Sequence, residues 1–188
     1  MRKIVYRLIP LLLLLSTSIL AERSGPYLGA GVGFTNYDDG GRLLSVSENT
    51  QESLRLYAGA YINDYLSVEA DYSAIMKYNA TTMSGGAVSE EFSVFSVAVL
   101  AHYPIDEYRL DLYAKFGAGQ LFWKESGSEN HSDNSATMLF GLGFGYRILE
   151  MMTLNIGYDL YRFSMNGKYD QEYDMSLGMS YLKVEVQF

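Results

Sequence analysis

Two groups of residues have types and spacings that could do chemistry. His131, Ser132 and Asp133 are consecutive and bring together, on paper, a base, a nucleophile and a carboxylate. Hydrolysis by an activated serine needs the hydroxyl and the base within hydrogen-bond reach of each other. Neighbours in the Gly/Ser/Asn-rich stretch 127–135 rarely present themselves to one another in that way, so a solvated loop is expected and an enzyme is not. The second group is dispersed: Arg55, Glu69, Asp71, Asp111, Lys115 and Asp159 each sit inside a segment where apolar and polar residues alternate. Ionisable groups enclosed at such positions are costly unless paired or wetted. They therefore predict a structural charge network filling a narrow interior, with a gated or very small conduit as the functional alternative.

Metal chemistry has little to work with. Cysteine is absent and only His102 and His131 supply imidazole, so a metal site would have to be mostly carboxylate, and no carboxylate spacing resembles a dedicated cage. No cofactor or metal is expected. His102, close to Pro104, reads as a polar residue capping one rim.

The elements that must position these residues are eight period-two segments of about ten residues, the number a tilted strand needs to cross a bilayer. They run over 27–36, 53–62, 66–76, 92–103, 108–123, 136–148, 153–161 and 173–188. In the second, Leu54, Leu56, Ala58, Ala60 and Ile62 share one face, and Arg55, Tyr57, Gly59 and Tyr61 the other. In the fifth, Leu110, Leu112, Ala114 and Phe116 oppose Asp111, Tyr113, Lys115 and Gly117. The eighth changes apolar phase near Tyr181 and Leu182, which predicts a β-bulge there. Short connections at 63–64, 104–107 and 149–152 alternate with long polar ones near 37–51, 77–91, 124–135 and 164–172.

That alternation of turn and loop is the pattern of an up-and-down membrane barrel with its loops outside the cell. A soluble barrel also alternates, but its non-core face must satisfy water. Here the opposite face is mostly glycine, tyrosine and isolated charges. The fold class expected is therefore all-β, an eight-stranded antiparallel up-and-down transmembrane β-barrel. Tyr65, Tyr103, Tyr108 and Tyr146 near the short turns, and Tyr72, Phe122, Trp123 and Tyr158 toward the loops, predict two interfacial aromatic belts.

Residues 1–21 combine Arg2, Lys3 and Arg7, an apolar run over 8–15, and a small-residue exit, the organisation of a secretory signal peptide. The domain reading is thus a signal peptide over 1–21 and an outer-membrane barrel over 22–188. Losing the leader takes the formal charge from -8 to about -11. So acidic a chain, without a Lys/Arg cluster, argues against nucleic acid as a partner.

Two stretches carry a family resemblance. Residues 103–119, from the short turn into the fifth strand, and Ser176–Tyr181 on the last strand resemble the OmpA-like eight-stranded outer-membrane β-barrel family, barrel domain only. Tyr27–Gly33 and Leu66–Tyr72 resemble its first and third strands. The resemblance implies an early-strand glutamate meeting basic residues inside the barrel, positions that fall on Glu69 and Lys115, with Arg55 as an additional cation. Leu100 and Asn155 stand where the family often has further inward charges. The chain leaves no sequence beyond the barrel for a peptidoglycan-binding domain, so a cell-wall tether is not expected.

The functional expectation is an outer-membrane barrel of a Gram-negative cell with a structural or surface-interaction role: membrane integrity, adhesion or partner contact through four extracellular loops. The alternatives are a small channel or hydrophobic-solute conduit, and a lipid A-modifying barrel enzyme. Expected partners are outer-membrane lipid and lipopolysaccharide, and the barrel assembly machinery. The latter would read Tyr181, Val184, Val186 and Phe188 of the closing strand. A monomer is expected.

Overall fold

The computed structural model describes residues 24–38, 40, 45–46, 50–81, 85–127, 131–166 and 172–188. The leader assigned to 1–21 lies outside the described residues. Eight long strands form the wall: β1 (Gly25–Asp38), β2 (Thr50–Asn63), β3 (Leu66–Thr81), β4 (Ala87–Ile105), β5 (Leu110–Gly127), β6 (His131–Leu149), β7 (Met152–Asn166) and β8 (Glu172–Gln187). A two-residue strand, Ser45–Val46, adds to the far end of β3.

Every strand pairs antiparallel with its sequence neighbour, and β1 pairs with β8 over Tyr27–Asp38 against Gln187–Ser176. The ring is closed, so no backbone edge faces hydrocarbon, which is the condition for spanning a bilayer with strands. The strands are tilted. A path of cross-strand partners from Glu52 through Phe34, Ser180, Tyr158, Leu142, Ala114, Ala101 and Leu66 returns to β2 at Asn63, at the opposite end of the strand. Such a stagger accompanies closure of a small barrel.

Period-two alternation decides which face each residue takes. Leu54, Leu56, Leu112, Phe116, Leu142, Phe144 and Ile156 all lie on the outer wall, with Leu142 as much as 68% exposed. An apolar surface of that extent is stable only against lipid. Tyr65, Tyr103, Tyr108 and Tyr146 stand outward around the short-turn rim, and Tyr72, Phe122 and Tyr158 outward higher up.

Three expectations are corrected. Trp123 does not join the upper belt; it is buried inside. The eighth strand has no bulge, because β8 keeps an unbroken register with both β1 and β7. Its change of apolar phase has another cause: Leu177 and Met179 are apolar and inward, while Leu182 and Val184 are apolar and outward. A bulge does occur in β3, between Ile75 and Tyr78. Lastly, much of the sequence assigned to long loops is strand: β3 runs to Thr81, β4 begins at Ala87, β5 reaches Gly127 and β6 begins at His131.

Candidate functional site

The interior is charged toward the short-turn rim and mainly apolar toward the long loops, where Glu90 and Glu125 are nevertheless buried as cross-strand neighbours. Alternation on β2, β3, β5 and β7 delivers Arg55, Glu69, Asp71, Lys115 and Asp159 to one level, all buried. Arg55 Nε donates to Asp71 Oδ2 at 3.0 Å, and its Nη2 lies 2.8 Å from Asp159 Oδ2. Lys115 Nζ bridges Asp159 Oδ2 at 3.2 Å and Glu69 Oε1 at 2.9 Å. Ser73 donates to Asp71 at 2.7 Å, and the Tyr27 hydroxyl to Glu69 at 3.3 Å.

One member escaped the sequence reading. Lys183 on β8 reaches Glu69 Oε2 at 2.8 Å, which gives Glu69 two ammonium partners. With it the cluster holds three cations, Arg55, Lys115 and Lys183, against three carboxylates, Glu69, Asp71 and Asp159. Neutral pairing of this kind is what makes buried charge tolerable. Glu185 was also missed; it accepts the Tyr61 hydroxyl at 2.8 Å. The signal was available, since Tyr181, Lys183 and Glu185 alternate with Leu182, Val184 and Val186. The supposed bulge hid it. Tyr181, which the sequence groups with Val184, Val186 and Phe188 as an assembly signal, faces inward, with Arg55 stacked 4.4 Å from its ring centre.

Asp111 joins a different group at the rim. His102 Nδ1 lies 2.8 Å from Asp111 Oδ2, and its Nε2 lies 2.8 Å from Ser67 Oγ. The order serine, imidazole, carboxylate resembles a hydrolytic relay. Ser67 has 0% of its surface exposed, and its hydroxyl also lies 3.5 Å from that of Tyr27. It presents no nucleophile to a substrate, and the group works as a polar cap that joins the rim to Glu69 through Tyr27. The other serine considered, Ser132, lies on β6 opposite Lys124, and Asp133 opposite Trp123; both are exposed.

Glycines do not leave the lumen open. A Cβ on Gly29 would fall 2.1 Å from the Tyr57 ring, on Gly59 2.3 Å from Tyr27, on Gly143 2.5 Å from Tyr113, and on Gly157 2.4 Å from the Tyr181 hydroxyl. Each missing side chain is the seat of a tyrosine from a neighbouring strand. Above the ions, Leu121, Trp123, Leu139, Tyr161, Leu177 and Met179 close the bore in one buried apolar cluster. The long-loop half of the interior is thus filled mainly by apolar side chains, with Glu90 and Glu125 buried beyond them, which differs from a lumen lined throughout by glycine and sparse ions.

A closed ring of eight tilted strands, apolar outside and filled inside by paired ions and packed rings, defines an integral membrane β-barrel. The chain belongs to the outer membrane protein beta-barrel domain family, whose model matches residues 8–188, and it resides in the outer membrane. It is similar to neisserial surface protein A (NspA) at 19% identity and TM-score 0.61, covering 87% of this chain and 97% of that one. It is similar to Ail of Yersinia pestis, the attachment invasion locus protein, at 17% identity and TM-score 0.56, with coverages of 87% and 97%. The N-terminal barrel of Pseudomonas aeruginosa OprF aligns at 12% identity and TM-score 0.60, again over 87% and 97%. No protein of curated function matches the chain.

Proposed function

We propose that this protein is a surface-interaction barrel: a non-conducting anchor that carries β-hairpins beyond the membrane for adhesion or partner contact. The observation that carries this reading is strand length. β4 and β6 contain 19 residues each, against the roughly 9 to 11 that cross the hydrocarbon layer. β4 and β5 stay in register from Ile105 and Leu110 at one rim to Val88 and Gly127 at the other. The excess projects on the long-loop side, which faces outward in barrels of this topology.

The packed interior weighs against the conduit, since an eight-stranded bore is just wide enough for side chains to fill and here two different fillings lie in series. Ail, whose name records attachment and invasion, has a comparable fold and has been crystallised with the heparin analogue sucrose octasulfate. A formal charge of -8 opposes a polyanionic ligand here and favours a protein partner. In the same reading residues 1–21 are the secretory leader, and Val184, Val186 and Phe188 present the closing strand to the assembly machinery. Outer-membrane lipid and lipopolysaccharide surround a monomer.

The test is adhesion of bacteria expressing the full chain to epithelial monolayers and to immobilised matrix proteins. Trp123 and Asp133 are cross-strand partners, so an Asn-Gly turn joining them removes 124–132 without disturbing the wall. Adhesion above vector controls that falls with this replacement is expected. Wild-type cells that adhere no better than controls overturn the reading.

A further inference from the structure

The short-turn rim carries two arginines that the charge network does not use. Arg109 precedes β5 and Arg147 lies near the end of β6, and the Arg147 amide donates to the Arg109 carbonyl oxygen at 2.9 Å. That bond continues the β5–β6 ladder one step past the Leu110 and Tyr146 pair, so the two side chains leave neighbouring points of the lip. Both stand where strand alternation stops. The register of β6 with β7 slips between Arg147 and Leu149, and Arg109, at φ 54°, is the one non-glycine residue among those described with a left-handed backbone. That conformation favours glycine or asparagine and strains an arginine, which points to a position kept for its side chain.

The three interior cations each have a carboxylate, and so has Lys77 on the outer surface. Arg109, exposed, and Arg147, half-buried, have none within ion-pair distance among the described residues, although Glu107 and Glu150 are exposed on the adjoining turns. Like charges side by side on a ladder repel, and an anion between them removes that cost. The guanidinium fork fits phosphate oxygens in bidentate fashion. The surroundings decide what bears the phosphate. Tyr108 and Tyr146, each preceding one of the arginines in sequence, stand in the interfacial belt, and the cross-strand partners Leu112 and Phe144 are exposed on the wall above them. Short turns face the periplasm in barrels of this topology, and the outer-membrane leaflet on that side is built of glycerophospholipid. Paired guanidinium groups at head-group level, beside a wall that accepts acyl chains, suit that class of molecule better than a soluble anion.

We propose that Arg109 and Arg147 together clamp the phosphate of one glycerophospholipid of the periplasmic leaflet, whose acyl chains lie against Leu112 and Phe144. The site is at the opposite rim from the projecting hairpins and does not depend on their role.

The experiment uses the protein purified from outer membranes and reconstituted into vesicles of phosphatidylethanolamine and phosphatidylglycerol with a minor share of diacylglycerol of the same chains. It is then extracted in mild detergent and weighed by native mass spectrometry. One retained phospholipid per barrel is expected, with diacylglycerol left behind relative to its share. Arg109→Gln and Arg147→Gln should each weaken retention roughly tenfold, the scale of one charge-assisted hydrogen bond. Arg162→Gln, exposed at the long-loop end of β7, should leave retention intact. A second readout is direct: in the vesicles, lipid phosphorus should dephase the solid-state NMR signals of isotope-labelled guanidinium nitrogens of Arg109 and Arg147, and not those of the buried Arg55. Heat-modifiable migration verifies that each variant is folded, and if a variant fails to fold, the dephasing in the wild type decides alone. No retained phospholipid, diacylglycerol retained in proportion to its share, retention indifferent to both substitutions, or absence of dephasing at the two arginines overturns the proposal.

Discussion

Lys183 on β8 and Glu69 on β3 meet across the lumen, 2.8 Å apart, although neither strand pairs with the other. The contact ties the closing strand to the opposite side of the wall through a buried ion pair. Glu69 also holds Lys115 at 2.9 Å, so neutralising this one carboxylate leaves two ammonium groups facing each other without it. Breaking a buried pair by removing one partner costs about 3–5 kcal/mol. Glu69→Gln should therefore lower stability by that order, read as a shift of the urea midpoint in vesicles. Lys183→Met should cost less, since Glu69 keeps Lys115. Equal stability of Glu69→Gln and wild type would remove the network from the account.

The tyrosine seats make a separate prediction. Gly143 lies under the Tyr113 ring, and a Cβ there would fall 2.5 Å from ring atoms and 2.7 Å from the Ile156 carbonyl oxygen. Overpacking of this kind costs about 1–3 kcal/mol. Gly143→Ala should destabilise by that amount, and trimming the ring with Tyr113→Leu should recover part of the loss in the double variant. Strict additivity of the two in a double-mutant cycle would show that ring and glycine are not coupled.

What could be read in the chain beforehand follows from the period of two. Where a strand has polar residues inward and apolar residues outward, as at Arg55, Tyr57, Gly59 and Tyr61, alternation assigns each face and the structure places each residue accordingly. Alternation loses its contrast where the interior is itself apolar. Leu121, Leu139, Leu177 and Met179 line the upper bore, so lipid-facing and lumen-facing residues look alike there. For that reason β8 was assigned a bulge it lacks, and Lys183 and Glu185 were overlooked. Strand ends were lost for a related reason. The projecting parts of β3 to β6 face water on their outer side, where Lys77, Glu91, Lys124 and Ser132 have the composition of loops. Pairings across the lumen, such as Tyr61 with Glu185, depend on barrel closure and have no local sequence signal.

Two fillings in series predict how the bore responds to substitution. Neutralising the ionic level with Asp159→Asn leaves the apolar level of Leu121, Trp123, Leu139 and Leu177 in place. In planar bilayers the wild type and this variant should both give no current above background. Ohmic steps from either would show a continuous water path and revive the conduit. Leu139→Ala combined with Asp159→Asn is the variant in which leakage should first appear, because it thins both levels.

Outside the membrane, the bulge in β3 leaves Lys77 on the surface, where its ammonium donates to Glu91 Oε1 at 2.7 Å. That hydrogen bond holds the Glu91 carboxyl below the usual carboxylate range, aided by the charges of Lys77 and Lys124. A carboxyl whose folded-state pKa is lowered contributes stability above its unfolded value, and the contribution is lost as pH falls through the lowered one. Both side chains are largely exposed, so the effect belongs to the projecting hairpin and not to the barrel, and salt should weaken it. Amide protection factors, which are corrected for the intrinsic pH dependence of exchange, should fall on the β3–β4 projection as the pH drops below the ordinary carboxylate range, with no change in those of the barrel wall. Lys77→Gln should move the Glu91 titration back toward its ordinary value, followed by carboxyl chemical shifts. A titration unmoved by that substitution would mean that the bulge does not hold the pair.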